Sequence, residues 1–141
     1  MQQKKYKLII GGSGFVGSFL IKEFKNDTVR NYDKNPSPFF NDITTIGNIL
    51  DLKGFDEVFK DVETVILLAA EHRDDVSPIS MYYDVNVNGT KNVLDKMDEF
   101  QIKNLVFTSS VAVYGLNKKN PNENHQKDPF NHYGKSKWLA E

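Results

Sequence analysis

Three side chains toward the end of the sequence have the types and spacing for moving a proton on an alcohol. Ser110 lies in Thr108-Ser109-Ser110-Val111-Ala112-Val113-Tyr114-Gly115, and the other two in Tyr133-Gly134-Lys135-Ser136-Lys137. Tyr133 and Lys137 stand at i and i+4, so on a helix they share one face. A free phenol has a pKa near ~10 and is a poor base at neutral pH. A lysine ammonium beside it favours the phenolate and lowers that value. The Ser110 hydroxyl can hydrogen-bond the same substrate oxygen. Together the three could take a proton from an alcohol as its carbon loses hydride. A surface helix with a solvated lysine and a half-buried tyrosine has the same spacing, so the pair gains meaning only from a cofactor site elsewhere.

The elements that would supply that site are at the other end of the chain. Tyr6-Lys7-Leu8-Ile9-Ile10 is a short apolar run of strand type. It leads into Gly11-Gly12-Ser13-Gly14-Phe15-Val16-Gly17 and then an amphipathic stretch from Ser18 to Lys25. The order is strand, glycine-rich turn, helix, which is the context a nucleotide-phosphate turn requires. Gly11 and Gly14 let the backbone approach a pyrophosphate, and Gly17 lets the helix pack on the strand. Phe15 and Val16 stand at the helix start, where free N–H groups and the positive end of the dipole meet the phosphates. Beyond this turn, Thr28-Val29-Arg30-Asn31-Tyr32-Asp33 reads as a second strand. A carboxylate at its end accepts hydrogen bonds from ribose hydroxyls and repels a 2′-phosphate, so Asp33 favours NAD over NADP. Lys34 weakens that exclusion, and an ordinary strand-end carboxylate is the plainer alternative.

Length and charge set the outer bounds. A chain of 141 residues is long enough for one domain with a sizeable core. Its net charge of −1 and the absence of a basic block point away from nucleic acid and anionic membranes. No apolar run approaches the roughly 18 residues of a membrane span. With no cysteine there is no disulfide or thiolate metal site, and His72, His125 and His132 show no metal-ligand spacing. These features suit the cytoplasm.

Between the two ends, strand and helix patterns alternate. Ile43–Ile46 is a short strand candidate and Leu52–Phe59 a short helix. Thr64 to Ala70 is a fully apolar strand of the kind covered on both faces. Ile79–Phe100 carries a helical period, with Gly89 inside it permitting close packing. Lys103–Ser110 is another strand, Gly115–Pro129 a loop, and a last helix begins near Asn131. The alternation predicts an α/β fold of Rossmann type, a doubly wound parallel sheet with helices on both faces, filling residues 1–141. In such a sheet ligands lie beyond the carboxyl ends of the strands, where Gly11, Asp33, Ala70 and Ser110 fall.

These pieces resemble the N-terminal part of the NAD-dependent epimerase/dehydratase family, the extended short-chain dehydrogenases that act mostly on nucleotide sugars. The resemblance runs from Lys7 to Glu141. It rests on the glycine turn, Asp33, Leu68-Ala69-Ala70, Asn86-Val87-Asn88-Gly89-Thr90, the Ser110 segment and the Tyr133 segment. It implies Ser110, Tyr133 and Lys137 as catalytic residues, with Tyr133 and Lys137 also touching the cofactor. It implies small residues at Ala69 and Ala70 where backbone and cofactor approach, next to Leu68, although plain strand packing calls for the same residues. Asn48 and Ile49 stand where the family has an adenine-reading Asp, so they are adenine-side candidates or simple turn residues. Asn86 matches a helix asparagine that ties helix to strand. His72, Arg73, Asp74 and Asp75 follow the third apolar strand and either meet substrate or form a solvated loop.

The same resemblance narrows the reaction. Family dehydratases carry acids between the serine and Val-Tyr-Gly, and an elimination needs them. Here Val111 and Ala112 cannot move protons, as in the 4-epimerases. The expectation is an NAD-dependent nucleotide-sugar 4-epimerase, forming a homodimer through helices near Ile79–Phe100 and the last helix. A reductase or dehydratase of the family and a non-catalytic NAD(P)-binding regulatory protein are the alternatives. Family members are much longer, which implies a substrate domain beyond these residues.

Overall fold

The computed structural model describes residues 4–24 and 28–141. Its elements are β1 (Tyr6–Ile10), α1 (Phe15–Glu23), β2 (Val29–Asp33), β3 (Thr44–Ile46), α2 (Phe55–Phe59), β4 (Val62–Leu67), α3 (Ser80–Tyr83), α4 (Gly89–Glu99), β5 (Asn104–Phe107) and α5 (His132–Ala140). The expected end of the first helix at Lys25 lies outside the described residues. The five strands form one parallel sheet in the order β3-β2-β1-β4-β5. The chain therefore winds outward from β1 in one direction, returns, and continues from β4 in the other. The carboxyl ends of β1 and β4 part at this reversal and leave a crevice.

Alternation along the strands divides the core between the two faces. Leu8, Ile10, Tyr32, Val65 and Leu67 pack with Phe55, Phe59, Val93 and Met97 beneath α2 and α4. Ile9, Val29 and Ile66 pack with Ile21 beneath α1. Among the described residues the first cluster holds thirteen buried side chains and the second four, so the α2/α4 face anchors the sheet. A run of ring contacts ties that face together. Tyr32 meets Phe55 edge-on at 4.8 Å, Phe55 meets Phe59 at 5.4 Å, and Phe59 meets Phe100 at 6.0 Å. Full burial of each large apolar side chain contributes roughly 1.5–3 kcal/mol. On the α1 face, β5 is open, with Val106 51 % exposed.

Several elements differ from the sequence reading, each for a local reason. The strand expected from Ile43 begins at Thr44, because a 3₁₀ turn at Asn41–Ile43 ends the loop from β2. The helix expected from Leu52 begins only at Phe55, because Gly54 is left-handed at φ +80°. The apolar run to Ala70 leaves the sheet after Leu67. There the Leu68 and Ala69 N–H groups both donate to the Ile10 carbonyl, at 2.8 and 2.9 Å, which ends the ladder. The last strand stops at Phe107, and a 3₁₀ turn at Val111–Tyr114 follows. The long helix expected over Ile79–Phe100 is α3 and α4 joined by a π-helical turn at Asp84–Asn88. No helix among the described residues is long and apolar enough to cross a membrane.

Candidate functional site

The crevice at the chain reversal opens into a cavity of about 770 Å³. Its wall contains Gly11, Gly14, Phe15, Val16, Gly17, Asp33, Asn48, Ile49, Leu68, Ala69, Ala70, Tyr133 and Lys137. A volume of this size holds a ligand as large as a dinucleotide or drug-sized molecule.

The glycine turn is shaped by two constraints. Gly11 has φ +91°, and a Cβ there would lie 2.5 Å from the Ala69 nitrogen, so only glycine fits where the turn crosses the exit of β4. Gly14 then stands at the start of α1, whose first turn has no acidic residue. The positive end of that helix faces the cavity wall formed by Gly14, Phe15 and Val16, an arrangement suited to an anion. At the next strand end, Asp33 is oriented by two backbone donors. Ser13 N donates to Oδ2 and Asn35 N to Oδ1, each at 2.9 Å. A carboxylate oxygen has more than one acceptor site, so both remain able to receive a hydroxyl donor.

Asn31 is a residue the sequence reading passed over. It is fully buried on the α1 face of β2. Its Oδ1 accepts from Gly12 N at 2.9 Å, and its Nδ2 donates to Ser13 Oγ at 3.1 Å and Thr44 Oγ1 at 2.9 Å. One amide thus joins the glycine turn to β2 and β3. The sequence signal was a polar residue between Val29 and Asp33 on an otherwise covered strand face. Asn31→Ala strands these donors and acceptors and is expected to lower the unfolding free energy by about 1–3 kcal/mol. A urea melt of the two proteins measures it.

Tyr133 and Lys137 come to the cavity from α5. Asn131 caps this helix, its side chain accepting from Gly134 N at 2.7 Å. Gly134 lies against the 3₁₀ turn, where a Cβ would be 2.7 Å from the Ala112 carbonyl oxygen. Tyr133 is half-buried, whereas Lys137 is only 3 % exposed. The Lys137 ammonium sits over the Phe107 ring, 4.3 Å from its centroid. Burial lowers the Lys137 pKa to about 8, and the Glu141 carboxylate opposes that shift. This lysine therefore titrates close to the physiological range.

Ser110 stands apart from the cavity wall, which takes Thr108 and Ser109 from the same segment. The Ser110 Oγ accepts from Ala112 N at 3.2 Å and caps the 3₁₀ turn. Ser109 Oγ hydrogen-bonds the Glu141 carboxylate. Of the charged residues after β4, His72 and Arg73 line the cavity and Asp74 and Asp75 do not. Arg73 lies between Glu71 at 3.7 Å and Asp75 at 3.8 Å. Asn86 is buried in the π turn and bonds the Glu71 backbone in both directions.

Comparison with known proteins agrees with this geometry. A protein of Escherichia coli O157:H7, N-acetyl-alpha-D-glucosaminyl-diphospho-ditrans,octacis-undecaprenol 4-epimerase, is 59 % identical over 135 residues, covering 95 % of this chain and 41 % of its own length. A UDP-glucose 4-epimerase of Halalkalibacterium halodurans is 34 % identical over 145 residues, covering 95 % of the chain and 43 % of its own. The chain thus spans less than half the length of these relatives. A short-chain dehydrogenase/reductase superfamily protein from Agrobacterium tumefaciens with bound NAD superposes with a TM-score of 0.86 at 27 % identity, over 96 % of this chain and 42 % of that one. UDP-glucose 4-epimerase from Brucella ovis in complex with NAD gives a TM-score of 0.81 at 28 % identity, over 96 % of this chain and 45 % of that one. The family described as NAD dependent epimerase/dehydratase matches residues 7–141. With the parallel sheet, the glycine turn and the Tyr133–Lys137 helix meeting at one crevice, the chain belongs to the NAD-dependent epimerase/dehydratase family.

Proposed function

We propose that the protein carrying this chain is an NAD-dependent 4-epimerase of a hexose joined to a diphosphate. The observation that carries this reading is the single cavity shared by the glycine turn, Asp33, Tyr133 and Lys137. The residues fit the dinucleotide. The glycine turn and the α1 N-terminus would hold its diphosphate, Asp33 the adenosine ribose, and Asn48 and Ile49 the adenine side. Leu68, Ala69 and Ala70 would floor the middle of the site, and Tyr133 and Lys137 would meet the nicotinamide end. Asp33 disfavours a 2′-phosphate, so NAD is preferred to NADP. Bound there, NAD supplies the hydride acceptor and, for the return transfer, the donor.

The proton chemistry belongs to the chain. Tyr133 takes the proton of the sugar hydroxyl and returns it to that same oxygen once the ring carbon has been reduced from its other face. Lys137 brings a cation to the same cavity wall as Tyr133. Its charge is present at neutral pH and lost as pH rises through about 8. Ser110 stands outside the wall formed by Thr108 and Ser109, and its role is carried by the family resemblance: its Oγ accepts from Ala112 N, which leaves its O–H to donate to a substrate oxygen. Val111 and Ala112 add no acid or base, which favours epimerisation over elimination. Two copies pairing through α4 and α5 complete the proposal. Leu94, Trp138 and Leu139 on these helices are 39 %, 43 % and 55 % exposed.

The carrier on the diphosphate is the finer question. The relative at 59 % identity is a diphospho-undecaprenol sugar 4-epimerase, whereas the UDP-glucose 4-epimerase of H. halodurans stands at 34 %. That difference favours a polyprenol over a nucleotide. The test incubates the full-length protein and NAD with N-acetylglucosaminyl-diphospho-undecaprenol in detergent, and in parallel with UDP-N-acetylglucosamine and UDP-glucose. Conversion of the lipid-linked sugar to its 4-epimer is expected. Conversion of the UDP-sugars alone would overturn the carrier, and no 4-epimer from any of them would overturn the reaction.

A further inference from the structure

The phenol of Tyr133 is useful only at a set distance from Lys137 and the cofactor, and the backbone of α5 must be held to keep it there. The helix cap at Asn131 and the contact of Gly134 with Ala112 fix its first turn from one side. On the other side a chain of directed hydrogen bonds reaches it from the sheet. Glu71, just beyond β4, exchanges two bonds with the Asn86 side chain, donating its N–H to Oδ1 at 2.8 Å and accepting from Nδ2 at 2.9 Å. The same Nδ2 donates to Ser136 Oγ at 2.8 Å. Ser136 Oγ in turn donates to the carbonyl of Tyr133 at 2.8 Å. Ser136 is 0 % exposed and Asn86 1 %, so no water competes for these groups.

The direction of the relay leaves no slack. Asn86 Nδ2 has two hydrogens and uses both. Ser136 has one hydroxyl hydrogen, and it goes to Tyr133 because Asn86 occupies its acceptor side. Asn86 itself is presented by the π turn at Asp84–Asn88, a distortion that recurs at functional sites. We infer that Ser136 is a positioning residue for the reaction, holding the Tyr133 backbone to Asn86 and β4 and so setting where the phenol lies against Lys137. The inference rests on the proposed role of Tyr133.

The test compares Ser136→Ala and Ser136→Thr with the unaltered full-length protein in the 4-epimerase assay, with Tyr133→Phe alongside. Ser136→Ala keeps the helix former but removes the relay. It is expected to lower kcat about 10- to 100-fold, the scale of an ångström-level misplacement of a reacting group. KM and the affinity for NAD should stay within about threefold, since α1, Asp33 and the glycine turn are untouched. Ser136→Thr keeps the hydroxyl and should recover most of kcat. Where the alanine variant does not fold, Ser136→Cys, similar in volume and a weak donor, is read in its place. Unchanged kcat in the variant, or a loss that Ser136→Thr does not restore, would overturn the positioning role. Full activity in Tyr133→Phe would overturn the underlying reading instead.

Discussion

Tyr133→Phe is expected to reduce turnover by about 10²- to 10⁴-fold, the usual contribution of a positioned acid–base group. The ring is retained, so the packing of α5 on the 3₁₀ turn should be undisturbed, and NAD binding should persist. Steady-state rates on the preferred diphospho-sugar, with NAD titrated by fluorescence, measure both. The split between the two readouts carries the argument. A protein that merely binds NAD would lose nothing, whereas a general collapse of the site would lose both together. Loss of turnover with cofactor affinity preserved is the pattern of a group that acts only on the reacting proton.

Lys137→Met should have an equally large effect on turnover and an opposite effect on stability. A buried lysine with its pKa lowered to about 8 is a folded-state base that holds its proton less tightly than in the unfolded chain. Between about pH 8 and the unfolded value of about 10.5 the unfolded chain binds more protons, so stability rises with pH across that window. Below pH 8 the full penalty of keeping the ammonium buried is present. The ring of Phe107 offsets part of it. Replacing the ammonium by a thioether of similar length removes that penalty. At pH 7 and without dinucleotide, Lys137→Met should be more stable by on the order of 2 kcal/mol, and the gap should close toward pH 10.5. Chemical denaturation of both proteins at the two pH values provides the check. A variant less stable than the parent at pH 7 would show that the ammonium is stabilised by contacts that outweigh its burial.

The parts of the fold that could be read from the sequence were those governed by period and by glycine. The apolar run of β1 announces a strand, and that of β4 a strand covered on both faces. The strand–glycine–helix order announces the glycine turn at the start of α1. Asp33 could be placed because strand length and turn spacing together fix its distance from Gly11. Other features depend on partners remote in sequence. Asn31 is informative only once Gly12 and Thr44 are known to flank it. Ser136 looks like an ordinary helix residue until Asn86, fifty positions away, is placed beside it. The ends of β4 and β5 were overestimated because Leu68–Ala70 and Thr108–Ser109 are as compatible with a strand as with a cavity wall. What separates the two is the double donation to the Ile10 carbonyl, a tertiary feature. The π turn was likewise hidden, since hydrophobic period cannot distinguish a continuous helix from one carrying an extra residue.

That extra residue has a consequence for how the molecule tolerates change. Successive α-helical positions are separated by about 100° around the axis, so one surplus residue re-phases everything downstream by that angle. Before the turn, Tyr83 is aimed at His132, hydrogen-bonded at 2.8 Å; after it, Val93 and Met97 are aimed into the sheet. A single deletion between Asp84 and Asn88 would regularise the helix and yet force a choice between those two partners. Length in this segment is therefore constrained as tightly as the one buried amide it carries, and a side-chain exchange there, Asn86 excepted, should be far better tolerated than the loss or gain of one residue.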